Sequence, residues 1–112
     1  MKTRFTILGS GSSLGIPRID GYFGKCNPNN PKNRRQRSSV LIQDNGYNIL
    51  IDAGPDVRNQ LLNANVDKID AVLITHTHSD HISGLPELRP YYFAERKNIP
   101  IYGQIDTLNE IN

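Results

Sequence analysis

The 112-residue sequence has one cysteine, one methionine, no tryptophan and only three histidines. A lone cysteine, Cys26, excludes an intrachain disulfide and any metal site built from cysteine alone. It makes a reducing compartment the simpler expectation. No apolar run approaches the roughly 18 residues of a membrane-spanning helix. The opening "MKTRFTILGS" has too brief an apolar stretch for a secretory leader and reads as a first strand. A strong excess of one charge is also missing. Thirteen basic and eleven acidic side chains leave +2, a balance that by itself implies neither a nucleic-acid nor a membrane partner. A soluble, cytoplasmic chain is expected. Its length suits one small domain or part of a larger one, with a core burying around two thirds of the unfolded surface.

What charge there is clusters. Residues 18–37 carry six basic groups against one acid, Asp20, in a stretch rich in glycine, proline and asparagine. At about 25 residues this irregular segment exceeds ordinary connections, which argues for function or disorder. Around it, "RFTILG" predicts a strand. "SSVLIQDNGYNILID" predicts a hairpin turning at Asn45-Gly46, since both residues tolerate positive φ. Pro55 and Asp56 suit a helix start, with Val57, Leu61 and Leu62 on its buried face. "DAVLITH" is apolar enough for a strand covered on both sides. Leu85, Leu88, Tyr92 and Phe93 hint at a helix whose beginning is blurred by Pro86 and Pro90. "NIPIYG" and "DTLNEIN" predict a short strand and a helical turn. The sum is α/β or α+β, with antiparallel pairing in the hairpin.

All three histidines stand in "THTHSDHISG", residues 75–84, at the carboxyl end of the most apolar strand. Imidazole and carboxylate suit zinc, manganese or iron, and His76, His78, Asp80 and His81 spread over two ions would leave positions open for water and substrate. A helix beginning there would also turn free N–H groups toward an anion. Asp80 is the candidate proton carrier. Lys32, Arg34, Arg35 and Arg37 could bind a phosphate through charge-assisted hydrogen bonds, aided by Ser10, Ser12 and Ser13. The same arginines could equally be a solvated basic loop, or Arg35 or Arg37 could pair with an acid such as Asp44. Gly9, Gly11 and Gly15 match neither a Walker loop nor a dinucleotide fingerprint, and read as turn glycines beside the metal site.

"THTHSDHISG" resembles the His-x-His-x-Asp-His motif of the metallo-β-lactamase fold hydrolases. The resemblance implies an αββα sandwich, of which residues 1–112 would form the N-terminal portion. It implies that His76 and His78 hold one divalent ion, zinc or manganese, while Asp80 and His81 hold a second. Asp52, in "ILIDAG", matches the aspartate that supports that site from behind. "GSGSSLGIPRIDG" and "PKNRRQRSS" resemble a narrower branch, the phosphoribosyl 1,2-cyclic phosphate phosphodiesterases. The implied activity is metal-dependent hydrolysis of a small phosphodiester, cyclic or nucleotide-like. Two departures accompany it. Branch members carry several loop cysteines around a structural zinc, where this chain has Cys26 alone. Their second half also supplies two further histidines and a bridging aspartate, and no histidine follows His81 here. A split enzyme completed by a C-terminal half or second chain, and a truncated silent remnant, therefore stay open. So does another hydrolase of the same fold, acting on a thioester, lactam or RNA. A half sandwich would expose a sheet face of the Val40, Ile42, Ile49, Ile51, Val72 and Ile74 type.

Overall fold

A computed structural model describes residues 2–111. The elements are β1 (Arg4–Gly9), β2 (Ser39–Asp44), β3 (Tyr47–Ile51), α1 (Val57–Asn63), β4 (Ala71–Leu73), α2 (Ser79–Ile82), α3 (Arg89–Glu95), β5 (Ile101–Tyr102) and α4 (Ile105–Ile111). They form one five-stranded sheet in sequential order. β1, β2 and β3 pair antiparallel, while β4 and β5 join in parallel. This is a mixed α/β chain.

The hairpin forms where expected. Asn45 (φ 54°) and Gly46 (φ 77°) both take left-handed conformations, the geometry that a two-residue turn needs to match strand twist. α1 starts at Asp56, its N-cap position, as the Pro55-Asp56 pair suggests. The two prolines that blur the next helix turn out to organise it. Pro86 opens a 3-10 turn, Leu85–Leu88, and Pro90 sits in the first turn of α3. There the absent N–H costs nothing, because no intrahelical partner exists for it. α2 is only four residues long. Its amide at His81 bonds the His78 carbonyl and that of Ser83 bonds Ser79.

The core lies on one face of the sheet. Leu41, Leu50 and Val72 are neighbours across β2, β3 and β4 and are fully buried with Val57. Leu61 of α1 with Ala53, Ile69, Ile74 and Leu88 complete the cluster. Each such side chain contributes about 1.5–3 kcal/mol through removal from water. The other face is open. Phe5 pairs with Ile42, Ile7 with Val40, Ile42 with Ile49, Val40 with Ile51 and Ile51 with Leu73. Phe5 and Ile7 remain 63% and 65% exposed. The expected face is therefore split. Val40, Ile42, Ile49 and Ile51 belong to the open side, whereas Val72 and Ile74 belong to the covered side. In the parallel register Ile49 and Ile51 meet Ala71 and Leu73, which leaves 72 and 74 facing the helices.

Candidate metal centre

The strand ends define one edge of the sheet. β3 and β4 run parallel, so Asp52 and the segment after Leu73 emerge side by side, with the Asp52 amide bonded to the Leu73 carbonyl at 2.8 Å. Asp52 is buried and takes φ 64°, a left-handed conformation that aspartate tolerates better than most residues. That bend starts the turn Asp52-Ala53-Gly54, which docks on the histidine segment. The Ala53 amide donates to the His81 carbonyl and the Gly84 amide to the Ala53 carbonyl, both at 2.8 Å. Gly54 is required by contact, since a Cβ there would stand 2.0 Å from the Asp80 carbonyl oxygen.

The Asp52 carboxylate organises the imidazoles. Oδ1 accepts from the Thr75 amide at 2.8 Å. Oδ2 accepts from the Thr75 hydroxyl and from His81 Nδ1, each at 2.6 Å. A carboxylate only accepts, so His81 carries a proton on Nδ1, and Nε2 is the nitrogen left to face a metal. Thr75 has one proton, spent on Asp52, and so accepts from His76 Nδ1 at 2.9 Å. His76 is thereby set with its Nε2 lone pair free as well. The ring centroids of His78 and His81 lie 4.7 and 4.0 Å from that of His76.

His81 Nε2 faces Asp80 Oδ2 at 3.0 Å. A lone pair and a carboxylate oxygen at that separation require a cation or proton between them. Ligands held at about 2.1 Å from one divalent ion stand roughly 3.0–3.4 Å apart, so the donor set suits a metal. Among the described residues, however, no three His, Cys, Asp or Glu side chains together enclose an ion. His76, His78, Asp80 and His81 are gathered, with Asp52 behind them, but they form an open half-shell.

The arginines lie elsewhere. Lys32, Arg34, Arg35 and Arg37 line a separate cleft of about 750 Å³ that no histidine borders. Arg37 pairs with Asp56, Nη1 to Oδ1 at 3.2 Å, and also donates Nε to the Ser13 carbonyl. The pairing with an acid is as expected, but the acid is Asp56 and not Asp44, which lies at the far end of β2. Arg37 thus braces α1 rather than standing free for a phosphate. Arg35 Nη1 donates to Ser10 Oγ at 2.9 Å, and Arg34 lies over the Phe23 ring at 5.5 Å. Gly9 and Gly11 also serve this cleft rather than the histidines, since a Cβ at either would strike backbone of residues 35–37. Cys26 is half-buried and free. Two contributors went unread in the sequence. Thr75 precedes the motif directly, but its role depends on Asp52, 23 residues away. Glu110 accepts from the Thr77 hydroxyl across 33 residues, for which the sequence offers no signal.

The metallo-beta-lactamase superfamily model matches residues 33–104, and the chain belongs to that superfamily, whose members use divalent metals such as zinc. Its fold is that of the superfamily. A crystal structure of a diphosphatase from the PhnP family is similar over 97% of this chain at 39% identity and a TM-score of 0.87, and the match covers 44% of that chain. An octanoyltransferase of Porphyromonas gingivalis is 39% identical over 109 residues, which are 96% of this chain but 22% of the relative. The anti-Pycsar protein Apyc1 of Bacillus phage BSP38 is 48% identical over 56 residues, 48% of this chain and 22% of the phage protein. The chain thus spans less than half the length of each of these proteins. No described helix is long and apolar enough to cross a membrane.

Proposed function

We propose that this chain carries the first ligand set of a metal-dependent phosphodiester hydrolase, with His76 and His78 on one ion and Asp80 and His81 on the other. The observation that carries the reading is His81, fixed by Asp52 at one nitrogen and facing Asp80 at 3.0 Å with the other. Bound divalent ions supply Lewis-acid polarisation and an activated water at neutral pH. The protein's part is orientation. Asp52 and Thr75 fix the tautomers of His81 and His76, and the Gly54–Asp80 contact fixes the loop. Asp80 is the carboxylate placed to hold a proton beside the reacting group. Arg34 and Arg35 supply cationic donors to substrate phosphate. That a similar protein is a diphosphatase supports a phosphate-directed reading.

The remaining ligands come from a segment or chain that covers the open sheet face, since the half-shell alone leaves each ion two protein donors. The test is turnover of a simple phosphodiester by the zinc-supplemented chain, with Asp80→Asn beside it. Zinc-dependent cleavage that Asp80→Asn abolishes supports the reading. Zinc bound at the histidines without cleavage, even when the open face is covered by a co-expressed C-terminal half of the diphosphatase type, would overturn it.

A further inference from the structure

The ligands of the half-shell are not held alike. His81 is fixed by Asp52 and His76 by Thr75. His78 is exposed and its backbone is extended, with φ −60° and ψ 143°. Among the described residues no hydrogen bond holds its ring, so its direction is set by the backbone that delivers it. That backbone is tied at Thr75, whose amide donates to Asp52, and at the His78 carbonyl, which accepts from the His81 amide. Among the described residues the amides of 76–78 donate no hydrogen bond. Between the two ties the segment makes one described hydrogen bond to another element, from the Thr77 hydroxyl to Glu110 Oε2. We propose that Glu110 is a positioning residue for the metal centre. It holds the backbone around Thr77 so that His78 is presented to the ion it would share with His76, an inference that rests on the half-shell reading above.

α4 can hold the segment because it is itself anchored. Gly103 lets the chain turn back beside the exit of β4, since a Cβ there would lie 3.2 Å from the Ile74 carbonyl oxygen and 3.6 Å from Leu108 of α4. Just before that turn the Ile74 amide donates to the Tyr102 carbonyl at 2.9 Å. At the other end of α4, Ile111 packs against the core. Glu110, its neighbour, is thus carried to Thr77 on a helix fastened near both ends. The bond faces water, so its effect is modest, and it acts by removing freedom from a segment with no other tie. Glu110 serves as an acceptor, a part that an amide oxygen can also play.

The test reads the metal-free full chain first. Backbone amide order parameters at residues 76–78 are expected near about 0.85, falling to about 0.6 or below in Glu110→Ala. Thr77→Val removes the donor at near-equal size and should match that fall, and it stands in for Glu110→Ala if that variant does not fold. Glu110→Gln, which keeps an acceptor, and Asn109→Ala, an exposed neighbour on α4, should keep the parent values. Zinc titration is then expected to show a loss of about three- to tenfold in Glu110→Ala, the worth of one hydrogen bond. In a His78→Ala background the same change should add no further loss. Unaltered order, an unchanged zinc affinity, or an equal zinc loss without His78 would overturn the positioning role, the last because it marks a merely structural contact. Lost order in a chain whose parent binds no zinc supports the tether and removes the metal reading. Zinc binding that needs His78 but ignores Glu110 removes the positioning role alone.

Discussion

At the residue scale the centre depends on Asp52, a side chain expected to touch no metal itself. Asp52→Asn keeps the size and the tolerance for φ 64°. It replaces one of the two accepting oxygens by an NH2, which cannot accept from any of the three donors that Asp52 holds. His81 would then reverse its tautomer to find a partner, turning an N–H toward Asp80 where a lone pair is needed. Zinc affinity should fall about 10- to 100-fold, as for other outer hydrogen-bond partners of metal ligands. Thermal stability should change far less. Calorimetry on the two proteins checks this, and equal zinc affinities would remove Asp52 from the account. The histidines were legible because their spacing is local, and Asp52 only through the resemblance to the family motif. Thr75 and Glu110 were not, because each acts through a partner that only the fold brings near. For Arg37 pairing with an acid was foreseen but not the acid, for the same reason. Its carboxylate partner, Asp56, is 19 residues further on and reached only once β2 and α1 have packed.

Among the elements, two turns differ in what they tolerate. The Asp52–Gly54 turn and the 80–84 segment interlock so closely that Gly54→Ala places a methyl 2.0 Å from the Asp80 carbonyl oxygen. The cost should be on the order of 1–3 kcal/mol in urea unfolding, as for overpacking, and zinc binding should weaken as Asp80 moves. Gly46→Ala makes no contact within 4 Å. It should cost about 1 kcal/mol through its positive φ alone and leave zinc binding untouched. Similar zinc affinities in the two variants would contradict the interlock. The hairpin was readable from Asn45-Gly46 because turn chemistry is local. The break between Leu85–Leu88 and α3 was only half readable, since two prolines four apart allow either one kinked helix or two starts. The arginine segment was expected to be loop, and it is, although bridges from Gly11 to Arg37 and Ile16 to Arg35 tie it to the β1 exit.

For the whole molecule, the asymmetry of the sheet is decisive. One face buries Leu41, Leu50 and Val72 under the helices. The other presents Phe5, Ile7, Leu73 and Tyr102 to solvent, with Val40, Ile42, Ile49 and Ile51 half-covered between them. An apolar face of this extent drives association. The isolated chain should therefore self-associate with rising concentration, and Phe5→Lys with Ile7→Lys should shift it toward monomer in light scattering. A wild-type chain that stays monomeric at high concentration would argue against the open face. The sequence foresaw such a face but not its membership. Alternation assigns residues to two sides without naming which is which, and the parallel register of β3 on β4 is what separates Val72 and Ile74 from the rest.

The central claim, that His76, His78, Asp80 and His81 form a metal-binding half-shell, is tested most directly by zinc titration of the purified chain, with His76→Ala and His81→Ala beside it. Saturable zinc binding that either substitution weakens at least about tenfold is the result predicted. Zinc binding that is absent, or equal in all three proteins, would contradict the claim.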